Sequence, residues 1–274
     1  MLSRQSNVTE ISGTFVPEAR NGRDNAAWVE DATKDGAGAQ CHLILLGGRD
    51  ALAVRLRVAQ SHLRSDMTPS HWSHALLRTT DGDCHHVPVG TELGTAFPPA
   101  TNGVQPVDMN AFADPVRYPN VAVVRVPYPA ARGKAPADEP TTVESAVKSF
   151  TRHRGQLDAV ELLWLWQGFV WGVGKSGNPL LQGHGIPSAV FVEQVLMAVG
   201  LDITPGLASS ASCPEAIWQS VRWWYGYYRI ARNLELAGKY CVDDRLVPDT
   251  FGASAPPAKP VAPAKATGTK ARRR

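Results

Sequence analysis

With 274 residues, 43% of them hydrophobic and 19% charged, the chain can fold as one large domain or two small ones, and its composition is that of a globular protein. Its four cysteines, Cys41, Cys84, Cys213 and Cys241, stand far apart with no CxxC pair, which argues against a disulfide framework. The net charge of +3 is unevenly held: residues 253–274 carry six Lys or Arg and no acid, so the rest of the chain is net −3.

The N-terminus, "MLSRQSNVTEISGTF", has an arginine but no apolar core segment of the kind an export signal needs, so a cytoplasmic location is the expectation. Residues 1–39 are polar and rich in Gly, Asn and Asp, with Phe15, Val16 and Trp28 as isolated apolar positions, and read as an N-terminal extension. Order begins at "CHLILLGG", a short apolar run stopped by two glycines, which predicts a buried strand. "RDALAVRLRVAQSHL" follows, with helix-favouring residues between its apolar ones, and predicts a helix.

"HALLRTT" and "CHHVPV" flank "DGD", a hairpin signal, and "NVAVVRVPYP" predicts another strand. Pro/Gly-rich "ARGKAPADEP" marks a loop. From Thr142 onward the pattern turns helical: "TVESAVKSFTRHRG", "LDAVELLWLWQGFVWG", "SAVFVEQVLMAVG" and "CPEAIWQSVRWWYGYYRIARNLELAG". Strands first and helices after predict an α+β fold. The apolar segment 158–174 contains Asp158, Glu161 and Gln167 and is too short to span a bilayer, so it reads as a buried core helix and no transmembrane segment is expected. Residues 249–274 form a Pro/Ala/Lys-rich tail that cannot build a core and reads as disordered and solvated, with polyanion contact as the alternative.

Two chemical motifs fail on inspection. "GVGKSG" lacks the strand and the first glycine of a phosphate-binding loop. "HWSH" with Cys84 and His86 offers zinc-ligand residue types without a second ligand pair at defined spacing, so no metal and no cofactor is expected. The aromatic run 218–228 suits either a partner-protein interface or, more commonly, a core closed by large side chains.

The order of elements carries more. A strand, a helix, the strand "WSHALLRTT" with His74, then "SAVFVEQVLMAVGLDITPG" running into "SCPEAIWQS" resembles the circularly permuted papain-like hydrolases of the NlpC superfamily, including the YiiX-like amidases and the lecithin retinol acyltransferase group. The resemblance covers about residues 40 to 220 and implies a permuted papain-like domain over residues 40–248, with a small antiparallel sheet packed against helices. It also implies a nucleophile at Ser188, where relatives carry cysteine, a base at His74, and an orienting residue at His86, or at His85 if the strand turns its other face inward. Cys84 and Cys213 read as lying away from any helix start and so as poor replacements for the missing thiol.

Serine stays an alcohol where cysteine ionises, so it attacks only with a well-aimed base. It is also a good helix N-cap, and "PS" before the helix fits that role. Three readings follow. The first is a degenerate member that binds a ligand (peptide, peptidoglycan fragment or lipid acyl group) or a partner without turnover. The second is an active serine–histidine amidase, acyl hydrolase or acyltransferase. The third is a scaffold acting through its aromatic helix and basic tail.

Overall fold

The structure is a computed structural model that describes residues 15–34, 39–90, 99–127, 142–152, 158–172, 176–223 and 236–244. The basic tail, the loop at 131–140 and the continuation of the aromatic run beyond Trp223 lie outside these residues.

The described chain is mixed α/β. Its strands are β1 (Phe15–Pro17), β2 (Ala39–Gly47), β3 (His74–Thr79), β4 (Cys84–His86), β5 (Gln105–Val107), β6 (Asn120–Pro127) and β7 (Ala237–Val242). Its α-helices are α1 (Asn25–Lys34), α2 (Ala51–Ala59), α3 (Val143–Arg152), α4 (Ala159–Val170), α5 (Pro187–Ala198) and α6 (Pro214–Trp223). The strands form one seven-stranded sheet in the order β1-β7-β6-β2-β3-β4-β5. All neighbours are antiparallel except β1 and β7, which run parallel. The expected small antiparallel sheet is therefore larger and mixed.

β2 lies at the centre because it is apolar on both sides. Leu43 and Leu45 face one layer, and Ile44 and Leu46 face the other, all fully buried. The first layer is covered by α3, α5 and α6, through Val147, Phe191, Val195, Leu196, Ile217 and Trp218. The second is covered by α1 and the 3-10 turn Met109–Phe112, through Trp28, Val29 and Phe112. A satellite cluster joins α2 to α4 through Leu56, Leu163, Trp166 and Val170.

Residues 15–34, read from sequence as part of an extension, thus belong to the sheet and its cover. Trp28 is fully buried, and Asp24 accepts a hydrogen bond from Ala27 N at 2.7 Å at the start of α1. The predicted helix after the double glycine forms as α2, capped by Asp50, whose carboxylate accepts from Ala53 N at 2.8 Å. The predicted hairpin forms as β3 and β4 around Asp81–Gly82–Asp83, with Gly82 at φ +90°.

α4 is capped by Asp158, and no described helix is long and apolar enough to cross a membrane. One face of α4 is core, as expected for residues such as Leu162 and Trp166, but Trp164 and Trp171 on its other side are each 68% exposed. In the aromatic run, Trp218 is buried and packs edge-on against Trp72, Phe15 and Tyr240, so this ring closes the core between α6, β1 and β7.

Candidate functional site

The hairpin sets two histidines side by side. His74 opens β3 opposite Leu46, and the pairing of Leu77 with His85 puts His86 on the same face as His74. His74 Nε2 and His86 Nδ1 are 2.8 Å apart, so one donates to the other, and both rings lie 6.0 Å from Phe112. Burial holds the His74 pKa well below 6.5, with His86 adding to the shift, and burial lowers His86 to about 4. The pair is neutral at pH 7. His85, on the opposite face, is half-buried and does not join them.

Ser188 lies in the first turn of α5 and is fully buried. It is not the helix cap. Pro187 occupies the first helical position, as its fixed φ and missing N–H favour, so the cap falls on Ile186, which has no side-chain oxygen to offer. The Ser188 hydroxyl instead completes the sheet edge, where Oγ accepts a hydrogen bond from Ala75 N at 3.3 Å. Leu77 pairs with His85 and Thr79 N donates to Asp83 O, so alternation turns the Ala75 N–H toward β4 as well. β4 ends at His86, and Ser188 supplies the acceptor that a longer strand would have supplied.

The three residues that sequence singles out therefore converge unequally. His74 and His86 are bonded to each other. Ser188 meets the backbone of the residue after His74, but no hydrogen bond joins it to either imidazole. The His74 ring turns toward Phe112 in the layer covered by α1, whereas Ser188 belongs to α5 in the other layer.

Cys213 departs from its expected place. It immediately precedes α6, where its thiol is hydrogen-bonded by the backbone N–H groups of Glu215 and Ala216, and so it does sit at a helix start. Complete burial outweighs these bonds and pushes the thiol up to about 12, so the group is inert. Burial likewise raises Cys84 to about 11.

The entry to α5 is held by a strap. Gly185 N donates to Ser210 O at 2.7 Å, Ile186 N donates to Ser212 O at 2.9 Å, and Trp166 Nε1 donates to Gly185 O at 2.6 Å. A Cβ on Gly185 would strike the Ser212 carbonyl, Val190 Cγ2 at 2.5 Å and Ser212 N at 2.7 Å. Gly185→Ala is expected to destabilise the fold by about 1–3 kcal/mol, seen as a lower thermal midpoint, because backbone on both sides must shift.

Sequence reading missed Glu193, inside the same "FVEQVL" run. It is fully buried, and neither carboxylate oxygen has a hydrogen-bond partner. Its signal was an acid flanked by apolar residues in a helix that turned out to be packed on nearly every side. A cavity of about 470 Å³ opens at the far end of the hairpin, lined by Glu30, Arg78, Cys84 and Asp108 among others. Among the described residues no group of three His, Cys, Asp or Glu side chains is placed to hold a metal ion. Comparison with protein-family models, with curated proteins and with solved structures found no match to this chain.

Proposed function

We propose that this chain is a non-hydrolytic relative of the permuted papain-like amidases and acyl hydrolases, a domain that binds an acyl- or amide-bearing ligand without cleaving it. The observation that carries this reading is the Ser188 hydroxyl, buried and bonded to the Ala75 amide rather than to an imidazole. Acyl transfer by serine needs a base that takes the hydroxyl proton as the new bond forms. His74 is poorly suited to that role. Burial lowers its basicity, and its orienting partner is a neutral histidine rather than a carboxylate that could stabilise an imidazolium.

The residue types that the resemblance implies are present, but His74 turns into the layer covered by α1 and Ser188 lies with α5 in the other, so the two meet only through the Ala75 amide. A thiol at position 188 would gain little from the helix end, because burial as complete as that of Cys213 opposes the thiolate.

The test is covalent labelling of the full chain. A fluorophosphonate probe is expected to leave Ser188 unmodified, and Ser188→Cys, equally buried and away from the His74 ring, is expected to stay unreactive toward a thiol-directed acyl probe. Labelling of Ser188 in the natural sequence, lost in Ser188→Ala, would establish an active serine hydrolase and overturn the proposal.

A further inference from the structure

On the α1 face, toward the opposite end of β3 from His74, three nitrogen-bearing side chains stand in one cross-strand row. His42 on β2 is the direct neighbour of Arg78 on β3 and of Arg125 on β6. Arg78 and Arg125 flank the neutral His42 from either side, two strand spacings or roughly 10 Å apart, so one face of the sheet carries two cations within reach of one anion. The arrangement therefore calls for negative charge.

Only one of the three is answered within the described structure. Arg78 donates to Glu30 Oε2 at 2.7 Å and to Thr33 Oγ1 at 2.9 Å, both on α1. Arg125 forms no ion pair with a described residue, and its Nε is buried without an acceptor. His42 Nε2 is also buried without a partner. A buried polar nitrogen left without its hydrogen bond is rare in folded proteins and asks for an explanation. Both residues are only half-buried as a whole, so a side-chain turn suffices to bring the two closed-off nitrogens to a ligand.

We propose that the row Arg125–His42–Arg78 binds a phosphate-class oxyanion, carried on a phosphate ester. An acceptor-only group meets unsatisfied donors without leaving a donor of its own unpaired. Three flanking groups on three strands favour a tetrahedral anion, whose oxygens can face each of them, over a carboxylate with two. Burial, and then the two guanidinium groups, lower the His42 pKa to about 4, so the imidazole takes part as a neutral donor. The site is independent of Ser188, and its failure would leave the reading of that residue untouched.

The experiment follows the His42 ring resonances by NMR in the full chain during titration with inorganic phosphate at constant ionic strength, with acetate as the comparison. The expected result is a saturable His42 shift with phosphate, binding weakened tenfold or more in Arg125→Gln, and binding strengthened severalfold in Glu30→Gln, which releases Arg78. Arg125 is half-exposed, so Arg125→Gln is expected to fold, and Glu30→Gln tests the same site from the opposite direction. No saturable shift, an equal response to acetate, or unchanged binding in both variants would overturn the proposal. Glycerol phosphate and vesicles containing phosphatidic acid then distinguish a soluble ester from a lipid headgroup by which of them reproduces the His42 shift; if neither does, the phosphate-ester assignment falls.

Discussion

Arg57→Ala is expected to cost about 3–5 kcal/mol of stability, the range found when one partner of a buried ion pair is removed. Arg57 is 3% exposed and ties four segments together. Its Nε donates to Ser70 O at 2.6 Å and its Nη1 to Gly48 O at 3.1 Å, while Nη1 also pairs with Asp244 Oδ2 at 2.8 Å. Removing the guanidinium leaves the buried Asp244 carboxylate facing the more distant Arg49 at 3.6 Å, and two carbonyls without their donor. For a domain of this size the thermal midpoint should fall by on the order of 10 °C. Arg57→Met, together with Asp244→Leu, should recover much of the loss, because replacing both members of a buried ion pair by apolar residues removes their desolvation cost along with their attraction. A single-variant midpoint within a degree or two of the natural protein would contradict this account.

Glu193→Gln is expected to stabilise the fold at alkaline pH and to change it little in acid. Burial raises the Glu193 carboxyl from its ordinary 4.5 to about 8, and Asp202 adds to the shift. Thr204 Oγ1 lies near enough to oppose it but outside hydrogen-bonding geometry. The folded state therefore holds this proton more tightly than the unfolded state does. Stability from the protonated group is complete below about pH 4.5 and is lost as the pH rises to about 8, by on the order of 5 kcal/mol in total. Glutamine keeps the shape and does not ionise. Denaturant unfolding at intervals across this range should show a downward slope with pH in the natural chain that is reduced in Glu193→Gln. Parallel slopes for the two proteins would show that the carboxyl is not held in its protonated form.

The elements legible in the sequence are those whose pattern is local. The central strand announces itself by an unbroken apolar run and two stopping glycines, and the hairpin by Asp–Gly between two β-rich runs. β7 was hidden because only Tyr240 among its residues is buried, so six residues between β1 and β6 carry almost no alternation. α1 was hidden because its buried positions are Asn25, Trp28 and Val29, too few to show a period, although Asp24 stood ready as its cap. The pairing of a strand histidine with His74 comes from the resemblance, and strand alternation adds only that one of His85 and His86 can face it. The bond from Ala75 to Ser188 could not be read from either segment, since it exists only because β4 stops where it does. Arg57 and Glu193 looked like ordinary helix residues, and their burial is a property of the packed layers rather than of α2 or α5 alone.

The position of β7 also shapes how the chain can be made. It is inserted between β6 and β1, yet it leaves the ribosome only after α3, α4, α5 and α6. Until then β6 presents an open, strongly apolar edge, and β1 has nothing to pair with. Such an edge is a template for pairing with other nascent chains. Truncation ahead of residue 237 should therefore yield insoluble protein rather than a smaller soluble domain, and chaperone demand should peak late in synthesis.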